Sequence, residues 1–288
     1  MAFSDNIFTY FEGTWHKGNV QIMRAADHGA WLGTTVFDGA RQFEGTAPDL
    51  LAHCQRVNES ARYMGMNPTH SAKDLLGIVN EGLKLFAKNA AVYIRPMYWA
   101  IDSELAVVAA NPDEIGFCVC LEEFAMADAA ATTTLTTTQF HRPVLADNLV
   151  NAKAGCLYPN NARMLREAQS KGFKNALVAD AMGNVAETAS ANIFMVKDGE
   201  IFTPIANGTF LAGITRARHL DLLRRDGHTV HETVLSFADF HTADEVFMSG
   251  NMTKVTPVAA FDDTNYQHGP IAKRARALYW DWAHSGVG

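Results

Sequence analysis

Four features in the second half of the chain could together carry out chemistry. In chain order they are a lysine, Lys153, a tyrosine, Tyr158, a carboxylate, Glu187, and a glycine-led helix start at Gly213-Ile214-Thr215. Each has a simpler interpretation when taken alone, as a solvated lysine, a core tyrosine and an exposed turn carboxylate. Their occurrence as an ordered set is what indicates a site.

The set matches the chemical needs of pyridoxal phosphate. A lysine forms an imine with the aldehyde of this cofactor, and a desolvated, cation-rich pocket lowers the pKa of its amine so that it can act as a base. A carboxylate keeps the pyridine nitrogen protonated, which lets the ring accept electrons. Backbone N–H groups at a helix start bind the phosphate, and Thr215 adds a hydroxyl there. The sequence therefore indicates a pyridoxal-phosphate enzyme.

Six blocks of the sequence resemble the fold type IV pyridoxal-phosphate enzymes, most closely the branched-chain amino acid aminotransferases. They follow the order of the family across nearly the whole chain: VFDGAR at 36–41, YIRP at 93–96, NAKAG at 151–155, ETASANIF at 187–194, LAGITR at 211–216 and ADEVFMSG at 243–250. Chance agreement of six such blocks in one order is very rare. The chain is identified from them as a member of this family.

The resemblance assigns the cofactor-binding residues by position. It makes Lys153 the Schiff-base lysine and proton carrier, and Glu187 the partner of the pyridine nitrogen. It implies that Tyr158 donates a hydrogen bond to the phenolic oxygen of the cofactor and that Leu211 packs against the ring. It implies that the phosphate is bound by Arg56, Ile214, Thr215 and Asn251. Without the family, Arg56 has the simpler interpretation of an arginine on the surface of a helix.

The resemblance also assigns the substrate-binding residues, some of them to the first half of the chain. It places in the pocket Phe37, Gly39, Tyr93 and Arg95. It places against the substrate α-carboxylate the backbone at Asn251 and Met252. Arg95 has a physical rationale as well. An aminotransferase binds a hydrophobic side chain in one half-reaction and the glutamate carboxylate in the other, and one guanidinium in an apolar pocket binds that carboxylate. The alternative for Arg95 is a structural ion pair at a strand end.

Four departures from the family pattern surround the substrate. Leu32 replaces a pocket tyrosine, and Glu122-Glu123-Phe124 stands where aromatic residues usually follow a strand. Asn251 replaces a threonine whose hydroxyl contacts the phosphate, and Met252 replaces an alanine beside the carboxylate site. Lys153, Glu187 and Arg56 are present, so the cofactor chemistry is retained and these changes leave the preferred amino acid open.

The first interpretation of the activity is transamination of branched-chain or other hydrophobic L-amino acids with 2-oxoglutarate, giving 2-oxo acids and L-glutamate. One alternative keeps this chemistry for an (R)-amine or a D-amino acid. A second is a lyase similar to aminodeoxychorismate lyase, which releases pyruvate without an acceptor. A third, a non-catalytic binding protein, conflicts with the presence of Lys153, Glu187 and Arg56 together.

Composition excludes several other classes of function. The 288 residues carry a formal charge of −7, which argues against a nucleic-acid or anionic-membrane surface. The N-terminus has no basic stretch followed by an apolar run, and no apolar segment is long enough to span a bilayer, so we expect a cytoplasmic protein. The 11 histidines are scattered without metal-site spacing, so no metal is expected. The 4 cysteines form no C-x-x-C pair, which indicates reduced thiols in packed positions.

The spacing of apolar residues predicts the elements that must position these groups. In the first half it predicts a hairpin around Glu12-Gly13, helices at 51–64 and 71–88, and strands at 91–99 and 115–121. In the second half it predicts helices at 159–171, at 215–226 and from 271, and strands at 132–139, 176–180, 193–197, 201–203, 228–234, 245–249 and 255–261.

We therefore expect an α/β protein of two domains. The resemblance implies a small α+β domain, which we expect at residues 1–125, a connection at 126–131, and a larger α/β barrel-like domain at 132–288 that carries the Schiff-base lysine. The resemblance implies a fold like that of D-amino acid aminotransferase, with the cofactor at the interface of the domains. It also implies a homodimer or a higher homo-oligomer, with small amino acids and 2-oxo acids as the binding partners.

Overall fold

The structure is a computed structural model that describes residues 4–286. It divides into two compact units, one of residues 4–126 with Asn151–Leu157, the other of Ala127–Val150 with residues 158–286. The first three and the last two residues lie outside the described part, and so do the outer ends of the two predicted domains.

A six-stranded antiparallel sheet forms the first unit. Its strands are β1 Ile7–Phe11, β2 Thr14–Lys17, β3 Thr35–Phe37, β4 Ala40–Gln42, β5 Val92–Ala100 and β6 Ile115–Glu123, in the order β2-β1-β6-β5-β3 with β4 also beside β5. The predicted hairpin is confirmed. Its two-residue turn, Glu12-Gly13, has positive φ at both residues, 50° and 81°, which matches the right-handed twist of the two strands.

Three helices accompany this sheet: α1 His28–Trp31, α2 Leu50–Tyr63 and α3 Ala72–Leu83. In α2 the buried residues Cys54, Val57 and Ala61 recur at steps of three and four, which confirms the predicted helix. Leu51, at the start of the predicted range, is 39% exposed. The helix α3 begins at a capping box on Ser71 but ends at Leu83, earlier than predicted. The chain continues there in tighter turns, with hydrogen bonds from Leu85 N to Gly82 O and from Phe86 N to Leu83 O.

The segment Asn151–Leu157 belongs to the first unit, whereas the sequence-based boundaries assigned it to the second domain. The reason is its backbone pairing. Phe37 N donates to Lys153 O at 3.1 Å, Lys153 N donates to Ser60 Oγ at 3.0 Å, and Val36 forms an isolated bridge with Ala154. Lys153 therefore lies with the small domain's residues rather than with the larger domain that follows it in sequence.

The second unit is built on a nine-stranded mixed sheet. Its strands are β7 Thr133–Thr137, β8 Asn175–Ala179, β9 Val185–Thr188, β10 Asn192–Lys197, β11 Glu200–Pro204, β12 Val230–Thr233, β13 Glu245–Gly250, β14 Lys254–Phe261 and β15 Thr264–Asn265. The order is β12-β11-β10-β13-β14-β7-β8-β9, with β15 beside β14. β7 pairs parallel with both β14 and β8, and β11 pairs parallel with β12.

Four helices pack with this sheet: α4 Tyr158–Ser170, α5 Ile214–Arg225, α6 Phe237–His241 and α7 Pro270–His284. One core cluster joins α5 and α7 to β10 and β13 through residues such as Leu223, Ala275, Phe194 and Phe247, all fully buried. The predicted strands and helices of this half are all present.

Several short elements in both halves of the chain were not predicted, namely β3, β4, β9, β15, α1 and α6. Segments of two to five residues show too little periodicity for that.

Two further findings concern the surface and the thiols. No helix within residues 4–286 has both the length and the apolar character needed to cross a bilayer. Cys54, Cys118 and Cys120 are free and buried, as expected for packed thiols, but Cys156 is exposed. The prediction that all of the cysteines are packed is therefore wrong for Cys156.

Candidate functional site

Lys153 is held by its backbone, and its side chain lies over an aromatic ring of the same unit. Its carbonyl accepts from Phe37 N, and its Nζ lies 5.0 Å from the centroid of the Phe37 ring. An aromatic face attracts an ammonium and restricts where it can move. The structure thus brings together two predicted site residues, the lysine and a pocket aromatic, through both backbone and side chain.

The other predicted pocket residues of this unit lie around β5. Tyr93 and Arg95 alternate with buried neighbours along this strand and are half-buried on one face, as the two-residue repeat of a strand requires. A Cβ on Gly39 would collide with the Tyr93 hydroxyl, so the chain can approach the tyrosine this closely only with glycine. The contacts therefore join Gly39, Tyr93 and Arg95.

Arg95 makes weak contacts with the neighbouring strand β6. Its Nη2 lies 3.5 Å from Glu122 Oε2 and 3.4 Å from Cys120 Sγ, and its guanidinium carbon lies 5.5 Å from the Tyr93 ring centroid. The Arg95 side chain keeps 29% of its surface exposed, whereas Glu122 keeps 2%. An ion pair at this distance is long, and the guanidinium retains an accessible surface.

Arg56 reaches from α2 to a fully buried carboxylate. Its Nε donates to Asp38 Oδ2 at 2.6 Å and its Nη2 to Asp38 Oδ1 at 2.9 Å, and His53 Nδ1 lies 2.7 Å from Asp38 Oδ1. Burial alone would raise the pKa of Asp38, but the charges and hydrogen bonds of Arg56 and His53 hold it well below its usual range. Arg56 is therefore a fixed, oriented cation, and its predicted contact with a phosphate stays a prediction.

Glu187 is a carboxylate of the second unit with a side-chain partner at each of its two oxygens. It lies on β9, where Arg142 Nη2 is 3.0 Å from its Oε1 and Asn192 Nδ2 donates to its Oε2 at 3.1 Å. Arg142 is itself fixed, because Nη1 donates to Asn161 Oδ1 at 2.6 Å and Nη2 to the carbonyl of Thr188 at 2.8 Å. Both oxygens of Glu187 are thus oriented, as a carboxylate that accepts from a ring nitrogen requires.

The start of α5 lies close to the same asparagine. A Cβ on its N-cap residue, Gly213, would collide with Asn192 Oδ1, and no side chain caps the helix there. The first N–H groups of a helix have no partner within the helix, and with its dipole they favour an anion. Of the predicted residues here, Thr215 is buried and Leu211 and Ile214 are half-buried, whereas Tyr158, at the start of α4, is 38% exposed.

Asn251 and Met252 lie on the turn between β13 and β14. The last residues of β13 face β10, since Ser249 pairs with Asn192, and a Cβ on Gly250 would lie 3.0 Å from Ala191 Cβ. His219 of α5 joins the turn, with its Nδ1 2.8 Å from Ser249 Oγ. Asn192 is therefore a common neighbour of Glu187, the α5 start and the end of β13, which brings these predicted residues of the second unit together.

Sequence reasoning missed the residues that position this site. Arg142 and Asn161 carry no motif, and their link to Glu187 comes only from the fold. Asn192 and Asp38 lie inside blocks 187–194 and 36–41, so the resemblance marked their segments without giving them a role. A buried polar residue within a matching block was the one available signal.

Within each unit the arrangement has a chemical meaning. The first unit offers an amine over an aromatic ring and a guanidinium at the edge of an aromatic surface. The second offers an oriented carboxylate beside an uncapped helix start. A phosphorylated pyridine aldehyde needs an amine for its aldehyde, a helix start for its phosphate and a carboxylate for its ring nitrogen.

Comparison with known proteins gives the family. The model of the amino-transferase class IV family matches residues 35–261. A probable branched-chain-amino-acid aminotransferase of Aquifex aeolicus is 29% identical over 292 residues, covering 95% of this chain and 91% of the relative.

Solved structures agree with this match. A crystal structure of an aminotransferase from Brucella abortus, bound to the cofactor PLP, is 55% identical with a TM-score of 0.95, covering 97% of this chain and 99% of that one. The Escherichia coli branched-chain amino acid aminotransferase is 28% identical with a TM-score of 0.86, covering 97% and 95%. The predicted fold type IV class is confirmed, and the chain belongs to the class IV aminotransferase family.

Proposed function

We propose that this enzyme transfers the amino group of branched-chain or other hydrophobic L-amino acids to 2-oxoglutarate, giving 2-oxo acids and L-glutamate. Its cofactor is pyridoxal phosphate, as in the family to which it belongs. Relatives named branched-chain-amino-acid aminotransferase, at 29% identity over 95% of this chain, support the substrate class.

The donor set fits this cofactor. Glu187 offers a carboxylate oriented by Arg142 and Asn192. Among the described residues, Asn251 Nδ2 is a buried N–H group with no hydrogen-bond partner, and a buried donor of this kind is costly unless an acceptor reaches it. A phosphate oxygen near the α5 start is such an acceptor.

The residues of this chain would hold the cofactor and move protons around it. When bound, pyridoxal phosphate supplies an aldehyde that takes up the amino group and a ring that stabilises negative charge. Lys153 would bind the aldehyde carbon of the cofactor. As the free amine, its Nζ would carry a proton between Cα of the substrate and C4′ of the cofactor. Glu187 would accept the N–H of the ring nitrogen, while Arg56, Ile214, Thr215 and Asn251 would hold the phosphate.

The observation that carries the substrate proposal is the surface around β5. Tyr93 and Phe37 provide aromatic area for a hydrophobic side chain, and Arg95 provides one accessible guanidinium beside the Tyr93 ring. Such a surface binds an aliphatic side chain in one half-reaction and a carboxylate in the other. The backbone at Asn251 and Met252 would contact the substrate α-carboxylate in both.

A second candidate is the same reaction on an (R)-amine or a D-amino acid. The observation that favours it is the change of side chains at the predicted pocket: Leu32, 40% exposed, replaces the family's tyrosine, and Met252 replaces a small residue. Both changes alter the shape of the pocket and leave the cofactor residues as they are.

Assembly and location form part of the proposal. We infer a homodimer or a higher homo-oligomer in the cytoplasm, on the strength of the family resemblance and the low charged fraction, 19%. Light scattering of the purified protein measures the assembly, and a mass of one chain in solution would contradict it.

A half-reaction spectrum tests the activity. The cofactor-loaded protein is mixed separately with L-leucine, L-glutamate, D-alanine and (R)-1-phenylethylamine, without an acceptor, and the loss of the aldehyde-form absorbance is followed. We expect L-leucine and L-glutamate to convert the cofactor to its amine form. Conversion only by D-alanine or the (R)-amine would establish the second candidate. Release of pyruvate over many turnovers from aminodeoxychorismate, without any 2-oxo acid and without loss of the aldehyde form, would establish a lyase.

A further inference from the structure

The turn that carries Asn251 and Met252 is followed directly by a fully buried lysine, the first residue of β14. Lys254 has no exposed surface and adopts a left-handed backbone with φ of 64°, a region that residues other than glycine rarely occupy. It pairs with Gly250 in the β13–β14 ladder, at the end next to the turn. Its Nζ donates to Asn251 Oδ1 at 2.7 Å and lies 5.4 Å from the Tyr279 ring centroid. A residue kept in this backbone conformation with a buried charge indicates a specific role.

The contact with Lys254 decides which way the Asn251 amide faces. An ammonium has donors only, so the amide must present its oxygen to Nζ. The NH₂ group of Asn251 then faces the other way, and it is the buried Nδ2 that has no partner within residues 4–286. Without this ammonium the amide could rotate and present its carbonyl oxygen instead, which repels an anion.

We propose that Lys254 is a positioning residue that turns the Asn251 amide so that its NH₂ group donates to the phosphate of the cofactor. The inference deepens the proposed function and rests on it. The phosphate is favoured because the turn follows Ser249, which pairs with Asn192 and binds His219 of α5. Asn192 also lies against Gly213, the N-cap residue of α5, so the strand end that leads into the turn is joined to a helix start that favours an anion.

The protonation state of the neighbouring His219 ring is consistent with a positive charge on Lys254. His219 is buried, and burial together with the charge of Lys254 lowers its pKa to about 3. A neutral His219 adds no second positive charge at the turn, and its hydrogen bond to Ser249 fixes the residue just before Gly250-Asn251. The side-chain donor that Lys254 orients at this turn is then the NH₂ group of Asn251.

Cofactor binding to the apo-enzyme tests the proposal without measuring activity. Wild type, Lys254→Met, Lys254→Gln and Asn251→Ala are titrated with pyridoxal phosphate and with pyridoxal, which lacks the phosphate. Both ligands form the same bond with the lysine, so their difference in affinity reports the phosphate contacts. We expect Lys254→Met and Asn251→Ala each to weaken pyridoxal phosphate about tenfold, the value of one hydrogen bond to a charged group, and to leave pyridoxal unchanged.

The remaining variants separate orientation from charge. A glutamine at 254 can still donate an N–H to Asn251 Oδ1, so Lys254→Gln should regain most of the affinity. The double variant Lys254→Met/Asn251→Ala should bind no more weakly than either single variant, because both remove one contact. Lys197→Met is the matched control, since Lys197 Nζ also donates to a side-chain oxygen, Thr242 Oγ1, at the opposite end of the β10–β13 ladder.

Each contrary result overturns the proposal. Additive losses and no recovery with glutamine would mean that Lys254 acts on the phosphate by its charge alone. Equal weakening of pyridoxal, or unchanged binding of both ligands, would exclude a phosphate contact through Asn251. A raised KM for the amino acid with unchanged cofactor affinity in Asn251→Ala would assign the amide to the substrate carboxylate. Failure of the proposed function would show instead in the wild type, as a bound cofactor that L-leucine and L-glutamate do not convert.

Discussion

Arg142 Nη2 lies 3.0 Å from Glu187 Oε1, and the two side chains are only 9% and 12% exposed. Arg142 also bonds to Asn161 and to the carbonyl of Thr188, so the guanidinium ties the carboxylate to α4 and to its own strand. A carboxylate that must meet a ring nitrogen at hydrogen-bond distance needs this restriction, because a displacement of about 1 Å weakens catalysis strongly.

Replacing Arg142 should therefore slow the reaction. We expect Arg142→Met to reduce the half-reaction rate roughly ten- to hundredfold and to lower the free energy of unfolding by about 1–3 kcal/mol, because buried partners lose their hydrogen bonds. Arg142→Lys should recover part of the rate. Rapid-mixing absorbance and urea unfolding measure the two effects. The control is Arg163→Met, which removes from α4 a guanidinium that packs over the Phe140 ring. A wild-type rate in Arg142→Met would contradict the role of Arg142.

Lys153→Ala should abolish transamination and the visible absorbance of the lysine-bound cofactor. The backbone contacts of this residue, with Phe37 N and Ser60 Oγ, do not involve its side chain, so the melting temperature of the apo-protein should stay close to the wild-type value. Lys171→Ala, which removes a lysine directly after α4 that donates to Thr137 O, should retain both properties. If the band persists in Lys153→Ala, another lysine binds the cofactor.

Arg95→Ala should weaken the glutamate and 2-oxoglutarate half-reaction more than the leucine half-reaction. We expect a loss of about tenfold or more in kcat/KM for the dicarboxylic substrates, because a charge-assisted hydrogen bond disappears. Glu122→Gln is the matched variant, since it removes the charge that pairs with Arg95 at 3.5 Å and keeps a side-chain oxygen that can accept from Ser4 N. Equal losses for both substrates in Arg95→Ala, reproduced by Glu122→Gln, would make Arg95 a structural partner of Glu122.

His219 should remain neutral throughout the neutral and mildly acidic range. Burial, followed by the charge of Lys254, lowers its pKa from 6.5 to about 3. Between these values the unfolded chain binds a proton that the folded chain does not, so stability falls as the pH decreases through this window, by about 1.4 kcal/mol per pH unit for this group.

Nitrogen NMR of the histidine rings measures this directly. The His219 signals should not titrate between pH 8 and pH 5. In urea unfolding, His219→Gln should show a smaller loss of stability between pH 6 and pH 5 than wild type. A titration of His219 within that range would contradict a buried, neutral ring.

Local sequence carried much of the fold. The steps of three and four between Cys54, Val57 and Ala61 predicted α2, and the pair Glu12-Gly13 predicted a hairpin, because helix and strand periodicities and turn conformations depend on neighbouring residues. Short elements such as β3 and β9 escaped prediction, since three or four residues are too few to establish a period. The ordered blocks around Lys153 and Glu187 predicted the family, which the match over residues 35–261 confirms.

The tertiary structure alone decided which side chains meet. Nothing in the spacing of Arg142 and Glu187, or of Asp38 and Arg56, marks them as ion pairs, because such contacts depend on how distant segments pack and on what burial does to charge. The same holds for the segment Asn151–Leu157, which pairs with residues of the first unit although it is preceded and followed in sequence by the second. Lys254, an ordinary lysine in the sequence, became a buried group that orients Asn251 only once β13 and β14 had formed their turn.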